Sequence, residues 1–162
     1  MNIVGVRIDG RLVHGQVANL WTPKLQADRI IVVDENAAKS DIEKSGLRMA
    51  APATTRLSVL PEKVAADHLK NDRYGNQRLL IVAKKPEILL EMINDGVKLG
   101  TINVGTMSQS ENTTAITNQI NVEKQDVDTF KELNDKGLKL TAQLTPSDDS
   151  RDFMKLMDEK IK

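Results

Sequence analysis

Short β-branched apolar runs alternate with longer amphipathic stretches along almost the whole chain, and this alternation limits the fold more than any single residue does. Strands are predicted over residues 2–8, 28–33, 55–60, 77–83, 101–104 and 138–144, with an edge strand over 116–122. Helices are predicted over 13–20 (closed by Thr22-Pro23), 40–50, 61–70, 86–95 and 123–136, and in the tail over 148–162. Ser40 followed by Glu43 reads as a capping signal. Gly96 and Gly137 read as helix ends, and Pro61 suits a first helical turn. Strand–helix repetition of this kind predicts an α/β fold: one doubly wound domain over residues 1–162, an open, mostly parallel sheet with helices on both faces. No internal repeat, low-complexity tract or linker divides it.

The core has to be aliphatic, because one Trp, one Tyr and two Phe are the only aromatic residues. Lys plus Arg (23) and Asp plus Glu (23) cancel, which argues against a nucleic-acid partner, since that binding needs clustered cations. The absence of cysteine removes a disulfide framework, a thiolate metal site and a thiol nucleophile. His14 and His68 are far apart in sequence, so no metal or other cofactor is expected. No apolar run has transmembrane length, and the opening strand lacks the apolar stretch of a signal peptide. A cytoplasmic protein that docks on membrane partners is the expectation.

Ligands of open α/β sheets bind beyond the carboxyl ends of the strands. The loops to read are therefore residues 9–14, 34–37, Pro61, Lys84-Lys85, 105–112 and 145–148. The first is the richest: Arg7, Asp9, Gly10, Arg11, Leu12, Val13, His14, Gly15 and Gln16 follow one another with a single interruption. A neutral imidazole is a nucleophile at physiological pH, arginine forks fit phosphate oxygens, and backbone N–H groups at a helix start bind anions. His14 by itself equally suits a hydrogen-bonded surface residue, and Gly15 a close helix contact. The arginines and the position after the first strand favour phosphoryl chemistry. His68, among Ala65, Ala66 and Leu69, reads as structural or surface, and Trp21 as core. Asp34 and Glu35 read as rim or capping residues. Gly105, Thr106 and the hydroxyls after them read as a rim or a plain solvated loop.

The run from Arg7 to Val17 resembles the signature of the B subunits (EIIB) of the mannose/fructose/sorbose family of bacterial sugar phosphotransferase systems. Trp21, the residues from Arg29 to Glu35, Met49-Ala50-Ala51-Pro52, the residues from Asn103 to Met107 and Gly137 are similar to family positions as well. The resemblance implies an open twisted parallel sheet with His14 on the loop after the first strand. It implies that a phosphorylated A component gives its phosphoryl group to Nδ1 of His14, and that His14 passes it to a sugar held by membrane C and D components. Arg11 would steady the phosphoryl oxygens. Asp9 would order the loop by accepting backbone N–H bonds, and Arg7 would either point into the site or pair with Asp9. Position 10, often acidic in the family, is Gly10, which predicts a looser loop with one fewer negative charge. Leu12 and Val13 are expected on the docking face, where a transient partner excludes water.

Rival readings lack their residues. A response-regulator domain needs an acidic cluster after the first strand and an aspartate ending the third, but the third ends at Leu60-Pro61. A dinucleotide-binding domain needs a G-x-G-x-x-G turn, and Gly10 and Gly15 have the wrong spacing. A non-enzymatic binding module is separated from a phosphocarrier only by phosphorylation itself.

Overall fold

The computed structural model describes residues 1–161. In chain order, β1 (Asn2–Asp9) leads through a loop and a π-helical turn (Val17–Trp21) into α1 (Thr22–Leu25). Next come β2 (Arg29–Val33), α2 (Glu35–Ala38), α3 (Asp41–Ala50), β3 (Arg56–Leu60), α4 (Glu62–Lys70), β4 (Arg78–Ala83), α5 (Pro86–Asn94) and β5 (Ile102–Thr106). The chain continues through β6 (Thr114–Ala115), β7 (Asn121–Val122), α6 (Lys124–Asp135), β8 (Leu140–Ala142), β9 (Arg151–Asp152) and α7 (Phe153–Lys160).

The main sheet runs β3-β2-β4-β1-β5-β8-β9, parallel except for the edge strand β9. The expected α/β architecture is therefore present. Period-two alternation divides the apolar side chains between two cores. Ile31, Val33, Leu79 and Ile81 point to the face covered by α4, α5, α6 and α7, where Phe130, Phe153, Leu89 and Met92 complete a fully buried cluster. Ile30, Val32, Leu80 and Val82 point to the other face and meet Val17, Ala18, Ala37 and Leu47. Each such aliphatic side chain contributes about 1.5–3 kcal/mol when fully buried.

β1 lies at the centre, between β4 and β5. After β1 the chain moves toward β2 and β3, whereas after β4 it crosses to β5 and β8. The strand order reverses at β1, which opens a crevice at the carboxyl end of that strand. The second core stops short of β5 and β8. Gly5, Arg7, Asn103, Thr141 and Gln143 instead line an open cavity of about 330 Å³ beside Trp21 and Leu25.

Three expectations are corrected. The first helix is not closed by Thr22-Pro23 but continues to Leu25. There the π-helical turn lets both the backbone N–H and the hydroxyl of Thr22 bond to the Val17 carbonyl, and Pro23 falls at the start of a fresh helical segment, where its missing N–H costs nothing. The edge strand over 116–122 is instead the antiparallel ribbon β6–β7, held to the end of β5 by a bond from Asn121 N to Met107 O (3.1 Å). The tail begins as strand β9 against β8 before turning helical, and its expected last residue, Lys162, lies outside the described residues. The short helix α2 follows Asp34, whose carboxylate caps it by accepting from Ala37 N (2.9 Å).

Candidate functional site

At the end of β1 the register with β5 slips by one residue. Ile8 pairs with Val104, but Asp9 pairs with Thr106, so Gly105 is left over as a bulge. The slip brings the Thr106 side chain beside Asp9. Thr106 Oγ1 donates to Asp9 Oδ1 (2.9 Å) and accepts from Gly10 N (3.1 Å). Gly10 N also reaches the Thr106 carbonyl (3.1 Å). A side chain at position 10 would press on Ser108, with its Cβ 2.8 Å from Oγ. Gly10 is thus held against β5 by hydrogen bonds to Thr106 and by close packing on Ser108.

Leu12 N bonds back to the Asp9 carbonyl (3.0 Å), and Leu12 takes the left-handed conformation (φ 56°). For a residue with a γ-branched side chain this costs roughly 1–2 kcal/mol. Burial offsets it. Leu12 and Val13 are 3% and 4% exposed, packed with Val17, Ala37 and Leu47. They are anchors that hold the turn down on the second core, and the expectation that they present apolar contacts to a partner is corrected. With the turn fixed, the His14 carbonyl accepts from Ala18 N (2.8 Å), so the helix starts at His14.

Asp9 is fully buried and accepts four bonds. Oδ1 takes Arg11 N (3.0 Å) and the Thr106 hydroxyl, while Oδ2 takes Arg7 Nε (3.3 Å) and faces His14 Nε2 at 2.7 Å. Burial pushes its carboxyl up, but the His14 bond, the Arg11 N–H and the Arg7 charge together outweigh that and hold it below the usual aspartate value. An ionised carboxylate only accepts. The ring proton of a neutral His14 therefore sits on Nε2, and the lone pair is left on Nδ1. Among the described residues Nδ1 has no hydrogen-bond partner, and the His14 side chain keeps 15% of its surface exposed.

Arg7 does not reach into the crevice. It is 1% exposed, lies 5.3 Å over the Trp21 ring, and bonds Asp9, Asn103 and the carbonyls of Gln143 (3.2 Å) and Leu144 (3.1 Å). Of the two readings of Arg7, the pairing with Asp9 is the one observed. The Arg11 side chain is the free guanidinium: it is exposed, and among the described residues it makes no hydrogen bond or ion pair. With Gly10, Leu12 and Val13 it borders a cleft of about 410 Å³ closed by Glu43, Gly46 and Leu47 of α3 and by Lys84 beyond β4. Lys84 is a strand-end lysine in the sequence, and nothing local marks it as a neighbour of the His14 loop. Only the β1–β4 pairing puts it there.

The other nominated residues are placed as follows. Gly15 is exposed, with only Asn19 Nδ2 near a built Cβ (3.9 Å), so close helix packing is not its reason. Gln16 is half-buried, its Oε1 lacking a partner among the described residues. Asp34 caps α2 and Glu35 accepts from Glu62 N (3.0 Å); both line a separate cleft that shares Lys84 with the first. Trp21 is buried as expected, and its Nε1 also donates to the Leu144 carbonyl (3.0 Å). His68 bonds the Tyr74 hydroxyl through Nδ1 (2.9 Å) in edge-to-face contact, the structural role expected of it. Among the described residues no group of three His, Asp or Glu side chains is arranged to hold a metal ion, and no helix is long and apolar enough to cross a membrane.

The sequence and the overall fold are similar to those of known proteins. The model of the family "PTS system sorbose subfamily IIB component" matches residues 3–162. The fructose-specific EIIB component of Bacillus subtilis (strain 168) is 34% identical over 157 residues, covering 97% of this chain and 96% of that one. The mannose-specific EIIAB component of Escherichia coli (strain K12) is 30% identical over 158 residues, 97% of this chain and 49% of that one. The solved IIBSor domain of the sorbose permease from Klebsiella pneumoniae superimposes with a TM-score of 0.94 at 30% identity, covering 98% of both chains. The chain belongs to the sorbose subfamily of IIB components of the sugar phosphotransferase systems.

Proposed function

We propose that the chain is a phosphocarrier at the cytoplasmic face of the membrane, accepting a phosphoryl group on Nδ1 of His14 from a phosphohistidine of an A component. It passes the group to a sugar held by membrane C and D components, which set the choice of sugar. The observation that carries the reading is the 2.7 Å contact of His14 Nε2 with Asp9, which occupies one ring nitrogen and leaves the other to attack. Support for the donor comes from the E. coli relative, whose name joins A and B and of which this match covers 49%.

Phosphoryl transfer passes through a loose, in-line transition state, so a protein contributes position and charge. As the donor's N–P bond breaks, the Nδ1 lone pair of His14 forms the new one. The Nε2 proton stays on the ring, and Asp9 balances the positive charge that the imidazole gains. In the second step the Nδ1–P bond breaks and the sugar oxygen takes the phosphorus, its hydroxyl proton leaving to a base on the acceptor side. Arg11 and Lys84, both unpaired among the described residues, border the cleft beside the His14 loop and supply the positive charge for the transferring oxygens in this reading.

The test is incubation with A component carrying radioactive phosphate on its histidine. The label appears on this chain in an acid-labile, alkali-stable form and is absent from His14→Ala. Label that persists in His14→Ala, or that resists acid, refutes the assignment.

A further inference from the structure

We infer that Arg7 is a positioning residue for His14: its buried guanidinium keeps Asp9 anionic and turned toward Nε2, and Gly105 is the residue that makes room for it. The inference rests on the reading of His14 as acceptor and adds how the attacking nitrogen is chosen.

The seat of Arg7 is built from three strands. Arg7 pairs with Asn103 across β1 and β5, and its guanidinium crosses Gly105 to the carbonyls of Gln143 and Leu144, just beyond β8. A Cβ at position 105 would overlap Cζ and Nη2 of Arg7. Gly105 is also the bulged residue, so the register slip that brings Thr106 to Asp9 is the same feature that clears the path for the arginine. Trp21 lies against the guanidinium and bonds the same Leu144 carbonyl.

A buried ion pair is an expensive way to hold strands together, and apolar side chains of equal volume commonly do so as well or better. What apolar groups cannot do is fix the charge of a neighbouring carboxylate. Burial alone pushes Asp9 toward its protonated form; the His14 bond, then the Arg11 N–H, then the Arg7 charge oppose this, and of the three only Arg7 brings a permanent countercharge within 3.3 Å of Oδ2. The protonation of Asp9 decides the tautomer. A protonated Asp9 donates to Nε2, and the neutral ring then carries its proton on Nδ1, the atom that has to attack. An ionised Asp9 accepts from Nε2–H and leaves Nδ1 bare. Arg7 acts two bonds away from the chemistry. With 1% exposure and its fork committed to Asp9, Asn103 and two carbonyls, it is not a phosphate ligand.

The experiment is ¹⁵N NMR of the His14 ring in the full chain, which needs no phosphate, together with transfer kinetics from phosphorylated A component. The parent shows the Nε2–H tautomer. Arg7→Met is expected to convert a large share of the ring to Nδ1–H and to lower kcat about 100-fold, the loss typical of a reacting group mis-set by about 1 Å, with KM for the donor unchanged because Arg7 is buried. Arg7→Lys restores the charge and recovers much of the parental tautomer. Gly105→Ala, which keeps the charge but displaces the fork, shifts the ring as Arg7→Met does. Gly105→Ala and Arg7→Lys carry the measurement if Arg7→Met does not fold. A parental tautomer in folded Arg7→Met, or in Gly105→Ala when the former is unfolded, overturns the inference. Label persisting on His14→Ala instead overturns the underlying assignment and leaves the tautomer result standing.

Discussion

Asp9 Oδ2 lies 2.7 Å from His14 Nε2 and 3.3 Å from Arg7 Nε, so a single carboxylate oxygen joins the imidazole to a buried guanidinium. Four residues of chain separate Asp9 from His14, and the left-handed Leu12 folds the two ends back on one another. The ring is thereby held by one nitrogen, while the other has no hydrogen-bond partner among the described residues.

Replacing Asp9 with Asn tests that hold. The amide can accept from Nε2–H only through its oxygen, and no countercharge remains for the phosphorylated ring. The rate of phosphoryl transfer is expected to fall at least about 100-fold. Arg7 loses its countercharge in the interior while keeping its bonds to Asn103 and two carbonyls, so the variant is also destabilised, by up to about 3–5 kcal/mol. Chemical denaturation measured beside the transfer rate separates the two effects. In the parent, the depressed Asp9 carboxyl contributes stability that is present above the unfolded aspartate value and lost as pH falls through its lower folded value. Asp9→Asn therefore flattens the acid limb of the stability profile.

Arg11 behaves oppositely. Its side chain is exposed and unpaired among the described residues, while its backbone N–H, which any residue supplies, serves Asp9. Arg11→Ala is expected to leave the melting temperature within the range of surface substitutions, about ±0.5 kcal/mol. Transfer slows by about 2–4 kcal/mol in the barrier, as for other preorganised donors. Parental kinetics in Arg11→Ala would remove it from the site. Lys84→Ala gives a smaller loss in the same assay, since its charge reaches the cleft from the neighbouring strand end.

Leu12 is a packing residue in a strained turn. Leu12→Ala keeps the left-handed strain and removes the side chain that offsets it, for a cost of about 2–5 kcal/mol. A chain of this size loses about 2–4 °C in melting temperature for each kcal/mol. A thermal melt unchanged by the substitution would show that the turn is held by its hydrogen bonds alone.

A pH effect is expected away from the site. Burial, and next the nearby Asp126 carboxylate, push the Glu87 carboxyl up to about 7 where α5 meets α6, against the opposing charge of Lys85. At the junction of α4 and α5, burial and Asp95 push Glu62 up to about 7. Both groups bind protons more tightly in the folded chain than in the unfolded one. The stability they contribute is complete below the unfolded value near 4.5 and is lost as pH rises to about 7. The melting temperature should therefore decline between about pH 5 and 8. Glu62→Gln combined with Glu87→Gln should level that decline, and calorimetry across the range decides it.

Much of this was written locally. β-branched runs between turn residues and amphipathic segments predicted the strand–helix order, because both periods are properties of consecutive residues. Ser40 and Glu43 marked the start of α3 through a bond within one turn, from Glu43 N to Ser40 Oγ at 3.1 Å. The loop after β1 stood out because its charged residues, glycines and histidine are neighbours in sequence. Short or irregular pieces were harder to read. β9, α2 and the β6–β7 ribbon have two to four residues per element, too few to display a period, and they exist because of what they pair with or cap. The π-helical turn before Pro23 likewise depends on the Thr22 side chain meeting a carbonyl five residues back.

The sequence by itself determined the layered α/β class, the candidate nucleophile His14 and the arginines beside it, since these follow from spacing and residue chemistry along the chain. Tertiary structure alone decided which arginine faces outward and which is buried, that Leu12 and Val13 look inward, and how the strand-end residues already read as a rim meet the loop: the Thr106 hydroxyl on Asp9, Gly105 against Arg7 and Lys84 at the Arg11 cleft. The physical reason is that strand pairing and a one-residue slip of register set those neighbours, and register is an agreement between two strands that neither one encodes alone.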